Sequence, residues 1–284
     1  MIQLGSNMLR NEEIRYLNNL SEKQVIEKAD SHLKVFGDAA QIDQFLAQMM
    51  FEELTSDVAK SFIFPYGPVG QYTILVDMLH RQKKPITAKH IYFMDEYTDK
   101  DGNNLPPDHP LSFKGRAMRY FNKIDSSILL DPSIIVFPSK ENYLDIVSMI
   151  EKDGGVDVCF GGIGIHGHLA FNEPAEGVRN TDPRLVELNK YTITINAIRE
   201  STGGNLYNFP NKANTLGMNQ VMSSAKIILS CRNGLKEIDW ANTVLRIALF
   251  GKSGDDFPVT YLREHEDYVI LTDEETLMSP INRL

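Results

Sequence analysis

VDVCFGGIGIHGHLAFNEP, residues 156–174, is the stretch on which the reading of this chain turns. Its first part, Val156 to Phe160, is apolar and partly β-branched and reads as a buried strand. The strand runs into a glycine-rich turn at Gly161, Gly162, Gly164 and Gly167. Glycine there lets backbone approach a ligand closely and permits positive φ. The turn then presents His166, His168, Asn172 and Glu173 within eight residues. A strand that ends on glycines and titratable side chains carries chemistry at its carboxyl end, where open α/β sheets bind ligands.

The same alternation extends in both directions. Upstream, DAAQIDQFLAQMMFEELTSDVAK (residues 38–60) has helical spacing with Asp38 as N-cap, and SFIFPYG reads as a buried strand and turn. GQYTILVDMLHRQ reads as a helix, HIYFMDEY as a strand, SFKGRAMRYFNKI as a helix and SIIVFP as a strand. NYLDIVSMIEKDGG is a helix with a glycine stop. Downstream, YTITI, AKIILSC and DYVILTDEE read as strands, and LKEIDWANTVLRIALFG as a strongly amphipathic helix. Apolar strands between helices predict an α/β fold: an open, mainly parallel twisted sheet with helices on both faces, a Rossmann-like three-layer α/β/α arrangement. Residues 1–32 are polar and only partly helical in spacing, and read as an N-terminal arm or cap; residues 33–284 read as one domain.

Composition narrows the function. The chain has 284 residues, 42% of them hydrophobic, enough for a full core. Its net charge of -9, with no Lys/Arg cluster, argues against nucleic acid. No apolar run approaches the ~18 residues of a membrane span. Cys159 and Cys231 sit in apolar runs and read as buried thiols of a cytoplasmic protein, not a disulfide.

Three constellations carry chemistry. In FMDEYTD, a strand delivers Asp95 and Glu96 to its carboxyl end, where a partly desolvated carboxylate can act as a base toward a carbon-bound proton; a helix cap is the structural alternative. In the glycine loop, Glu173 is placed to hold the His168 imidazole in one tautomer and orientation. Two other uses of that loop compete. Dinucleotide binding lacks a clean GxGxxG opening a helix. A metal site would take His166, His168 and Glu173 as ligands. The third constellation is PYGPVGQY, a strand–helix turn whose Gly67 and Gly70 bring helix N–H groups to the sheet edge, where they suit a phosphate.

Met94-Asp95-Glu96-Tyr97 and Gly167-His168-Leu169-Ala170-Phe171-Asn172-Glu173-Pro174 together resemble the glucosamine-6-phosphate deaminase/isomerase family, which shares its fold with 6-phosphogluconolactonases. TLGMNQVMSSAKIIL and FPVTYLREHEDYVILTDEE extend the similarity, in consistent order, from about residue 35 to residue 276. The resemblance implies aldose–ketose isomerisation of an amino-sugar phosphate with loss of ammonia, most simply glucosamine 6-phosphate to fructose 6-phosphate. His168 would open the ring, Glu173 would orient it, and Asp95 would move the C2 proton. Substrate contacts would come from Gly67, Gly70, Glu96, Gly164, Gly167, Arg199 and Lys236, with Arg232 competing for the place of Lys236. Proton transfer alone suffices, so no cofactor and no metal are expected; the partner is a small-molecule sugar phosphate, with a homo-oligomer allowed. The chain departs from the family where His166 replaces an Asp and where Pro68 and Val69 replace a hydroxyl-bearing pattern. A related isomerase, a lactone hydrolase or a non-catalytic sugar-phosphate sensor are the alternatives.

Overall fold

The structure is a computed structural model that describes residues 9–129, 131–234 and 238–283. Its strands are β1 (Leu33–Phe36), β2 (Lys60–Phe64), β3 (Ala88–Phe93), β4 (Asp95–Tyr97), β5 (Ile135–Val136), β6 (Val158–Gly162), β7 (Arg184–Glu187), β8 (Lys212–Thr215), β9 (Lys226–Ser230) and β10 (Tyr268–Asp273). Its α-helices are α1 (Arg10–Asn18), α2 (Glu22–Ala29), α3 (Ala39–Leu54), α4 (Gly70–Gln82), α5 (Phe113–Phe121), α6 (Tyr143–Asp153), α7 (Lys190–Arg199), α8 (Met218–Met222), α9 (Ala241–Phe250) and α10 (Glu274–Leu277).

Seven strands form one sheet in the order β1-β10-β9-β6-β2-β3-β5, and every pairing in it is parallel. Parallel strands must bury both faces, and the side chains divide accordingly. Phe62, Phe64, Ile91, Phe93, Val158, Phe160 and Ile228 join one core with α3, α4 and α5. Ile63, Tyr92, Cys159, Ile227, Leu229 and Ile270 join the other with α6 and α9. Each fully buried aromatic or branched side chain is worth about 1.5–3 kcal/mol over its exposed state, so a one-residue slip of any strand is forbidden. The expected three-layer α/β fold is what forms. A smaller antiparallel sheet, β4-β8-β7, lies beside it.

Local signals account for several boundaries. Asp38 caps α3 by accepting from Gln41 N at 2.9 Å. α6 stops at Gly154, which takes the left-handed conformation at φ 89°. α1 and α2 pack against α9 through Leu17, Leu20, Val25 and Ala29, all buried. Cys159 lies within β6 and Cys231 just beyond β9, and both are buried free thiols. Among the described residues no helix is long and apolar enough to cross a membrane.

One reading is overturned. YTITI is not a strand but the start of α7, despite four consecutive β-branched residues, Thr192 to Ile195. Asn189 Oδ1 accepts from Tyr191 N and Thr192 N, closing the first turn. Thr192 and Ile195 are buried at helical spacing, and this packing outweighs a helix-propensity deficit of a few tenths of a kcal/mol per residue. The helix predicted from residue 235 starts only at Ala241, because Asn233 Oδ1 accepts from Trp240 N and Ala241 N; residues 235–237 lie outside the described residues.

The sheet order also sets the site. β3 and β5 extend the sheet to one side of β2, whereas β6, β9, β10 and β1 extend it to the other. The loops leaving β2 and β6 therefore part in opposite directions and leave a crevice at their carboxyl ends.

Candidate active site

That crevice is a cavity of about 380 Å³. The turn from Pro65 to Gly70 forms one wall, Met94 and Asp95 another, and Gly164, His168 and Ala170 a third. Asn196, Arg199, Arg232 and Trp240 complete the lining.

Asp95 and Glu96 are adjacent on β4 and point to opposite sides, as a strand requires. Asp95 is 7% exposed and lines the cavity, and its carboxylate makes no hydrogen bond among the described residues. Burial, with the charge of Glu96 adding to it, pushes its pKa up to about 8. Glu96 does not reach the cavity, contrary to its reading as a substrate contact. It caps α5 instead, accepting from Ser112 Oγ at 3.0 Å, Phe113 N at 2.8 Å and Lys114 N at 2.6 Å. A helix N-terminus offers unpaired N–H groups and positive potential, and Glu96 meets both.

His168 is 8% exposed, and its ring lies flat against Gly164. A Cβ at residue 164 would fall 1.9 Å from His168 Nε2, so glycine there is a steric requirement of the imidazole. Burial, reinforced by His166 and Arg199, pushes the His168 pKa down to about 3, so the ring is neutral at pH 7. Nδ1 is buried without a partner among the described residues.

The expected Glu173–His168 hydrogen bond is not formed. Glu173 Oε2 accepts from Asn189 N at 2.7 Å, at the start of α7. His166 turns the same way: its Nδ1 lies 3.2 Å from Asn189 Nδ2 and its ring meets Tyr191 edge-on. Neither residue lines the cavity. Both brace α7, whose N-terminal N–H groups compete successfully for the carboxylate. Gly167 also stays out of the cavity. It holds φ at 64°, and its carbonyl accepts from Val259 N at 2.7 Å, so it turns the loop and contacts nothing in the crevice. Asn172 is fully buried and ties the loop to Leu216 O and Arg184.

Gly67, Gly70, Gly164 and Arg199 all lie on the cavity wall, as expected. Lys236 lies outside the described residues. α7 brings Asn196 and Arg199, one turn apart, to the same wall, and this depends on its being a helix. Arg199 keeps solvent-accessible surface but is crowded by protein atoms; that crowding, with the positive charge of Arg232, lowers its pKa. Its guanidinium lies 5.2 Å from the centre of the Trp240 ring. Asn196 and Trp240 escaped the sequence reading. The i, i+3 spacing of Asn196 and Arg199 would have exposed the first had YTITI been read as a helix; no local signal marks the second.

No family model matches the chain. Glucosamine-6-phosphate deaminase from a Thermoanaerobacter species is 30% identical over 211 residues, covering 73% of this chain and 78% of that protein. The Clostridium perfringens protein of the same name is 28% identical over 240 residues, covering 81% and 93%. Among solved structures, a monomeric glucosamine-6-phosphate deaminase superposes with a TM-score of 0.73 at 22% identity, covering 86% of this chain and 98% of that one. A 6-phosphogluconolactonase from Plasmodium vivax gives 0.60 at 12% identity, covering 89% and 96%.

Proposed function

The chain belongs to the glucosamine-6-phosphate deaminase family, and from that premise we propose that it converts glucosamine 6-phosphate and water to fructose 6-phosphate and ammonia. One observation carries the reading: Asp95 is a buried carboxylate without hydrogen-bond donors, on the wall of the cavity that also holds a neutral imidazole and a guanidinium.

His168 takes the proton of the sugar's anomeric hydroxyl and returns it to the ring oxygen, which opens the ring to the aldehyde. Burial and the neighbouring Glu96 keep a proton on Asp95 near neutral pH. The substrate's ammonium group, set against it, favours the carboxylate form and readies the base. Asp95 then removes the C2 proton; the electron pair forms C1=C2, and the neighbouring ammonium gives a proton to the aldehyde oxygen. Asp95 delivers its proton to C1, and the nitrogen lone pair forms an iminium at C2. Water adds to C2 and ammonia leaves, so the carbon skeleton is isomerised and one water is consumed. Arg199, on the cavity wall, holds the phosphate.

The test is ammonia and ketose phosphate release across a panel of hexosamine phosphates. Equal release of both from glucosamine 6-phosphate is expected. Inertness toward the whole panel, with hydrolysis of 6-phosphogluconolactone instead, overturns the reading.

A further inference from the structure

The basic part of the cavity lining is assembled from distant parts of the chain. Arg232 follows β9 and Arg199 ends α7, and both line the wall beside the Gly67–Gly70 turn. That turn is short of donors for an anion: Val69 has no hydroxyl, and Pro68 has no N–H. Arg232 is held from behind by α3. Its Nη2 lies 3.1 Å from Asp43 Oδ1, an ion pair more than an aligned hydrogen bond, and its Nη1 donates to Ala39 O at 2.9 Å. A guanidinium has five N–H donors, so a donor edge remains for the cavity. Asp43 reaches this position only because residue 70 is glycine: a Cβ there would lie 1.9 Å from Asp43 Oδ2. Arg199 faces the same space, and two like charges drawn together are stabilised by an anion between them.

We propose that Asp43 is a positioning residue: seated beneath Gly70, its carboxylate fixes the Arg232 guanidinium so that a donor edge faces the cavity and the substrate phosphate. The proposal rests on the sugar-phosphate reading, but its test does not need turnover. Trp240 is the only tryptophan in the chain, and it stacks on Arg199. Its fluorescence, with calorimetry alongside, follows titration of the full-length protein with inorganic phosphate.

Saturable binding to the native protein is expected. Arg232→Met should weaken it about 10- to 100-fold, the worth of a charge-assisted pair. Asp43→Ala should weaken it about 3- to 10-fold, with KM for the sugar phosphate rising more than kcat falls. Asp43→Asn keeps the shape without the charge and should recover little of the loss, whereas Asp43→Glu, which keeps the charge, should recover more. Where Arg232→Met fails to fold, Arg232→Lys keeps the charge without the fork, and weakening of about 3- to 10-fold is expected. Native phosphate affinity in the Arg232 variants overturns the proposal, as does a native protein that binds no phosphate. Tighter binding by Asp43→Ala also overturns it, since Asp43 would then be a competing negative charge. A protein that binds phosphate through Arg232 yet releases no ammonia overturns the deaminase reading alone.

Discussion

Asp153 and Asp95 lie at opposite ends of β3 and both keep little solvent contact, the Asp153 side chain 9% exposed and the Asp95 residue 7%, but protein packs far more densely around Asp95. Asp153 ends α6 at the amino edge of the sheet, where its Oδ2 accepts from Ser61 Oγ at 2.5 Å and Tyr92 Oη at 3.0 Å and pairs with His90 Nδ1 at 2.7 Å. Burial alone would raise its pKa, but these partners outweigh burial and hold it below the ordinary carboxylate range. Asp95, at the carboxyl edge, has burial without donors and goes the other way. Low solvent exposure alone therefore does not separate a structural acid from a candidate base; the balance between desolvation by the surrounding protein and the supply of donors does. Glu96, one residue from Asp95, falls between the two: burial still raises its pKa, but four donors oppose that and tie it to the start of α5.

The hardest test of this contrast is activity. Asp95→Asn should lower kcat by ~10²–10⁴-fold, the usual cost of losing a general base. Asp153→Asn should leave kcat within about threefold, because no proton leaves a satisfied structural acid. Ammonia release by the two purified variants decides it, and comparable kcat losses would dissolve the distinction.

Stability should rank the two in reverse. Asp153→Ala strands the buried Ser61 and Tyr92 hydroxyls and should cost about 1–3 kcal/mol in denaturant unfolding. Asp95→Asn should cost nothing at pH 7, since it removes an unsolvated carboxyl.

A finer contrast lies in pH. The native Asp95 carboxyl binds its proton more tightly than the unfolded chain does. Its contribution to stability is therefore whole below its ordinary value of 3.8 and is lost as pH rises through about 8. Asp153 has the opposite sign: its contribution is present above the ordinary value and lost as acid titrates the native carboxylate. The Tm of Asp95→Asn minus that of the native protein should grow from pH 4 to pH 8 and then level off. A difference flat in pH would mean that Asp95 is not desolvated as described.

The smallest expected effect concerns His166. Its charged form opposes protonation of His168, second only to burial. His166→Asp should reverse that influence and raise the His168 pKa by about one unit, read by NMR titration of the imidazole. An unmoved His168 would show that the residue 166 side chain acts only on α7, through Asn189 and Tyr191.

Much of the fold was legible because its determinants are local. Apolar strand runs, the Asp38 cap, the Gly154 stop and the glycine turn after β6 each act within a few residues, and together they specify a parallel sheet covered on both faces. The places of Asp95, His168, Gly67, Gly70 and Gly164 followed from strand ends and motif spacing, and that of Arg199 from the family resemblance. Contacts far apart in sequence decided the rest. YTITI became helical because Asn189 caps it and Thr192 and Ile195 find a core. Glu96, Glu173 and His166 turned away from the cavity because the starts of α5 and α7 offered unpaired backbone groups and neighbours that bind them more strongly. Asp43 meets Arg232 beneath Gly70 across 189 positions of chain, a pairing of opposite charges that no local pattern encodes and that only packing α3 against β10 and α4 brings about.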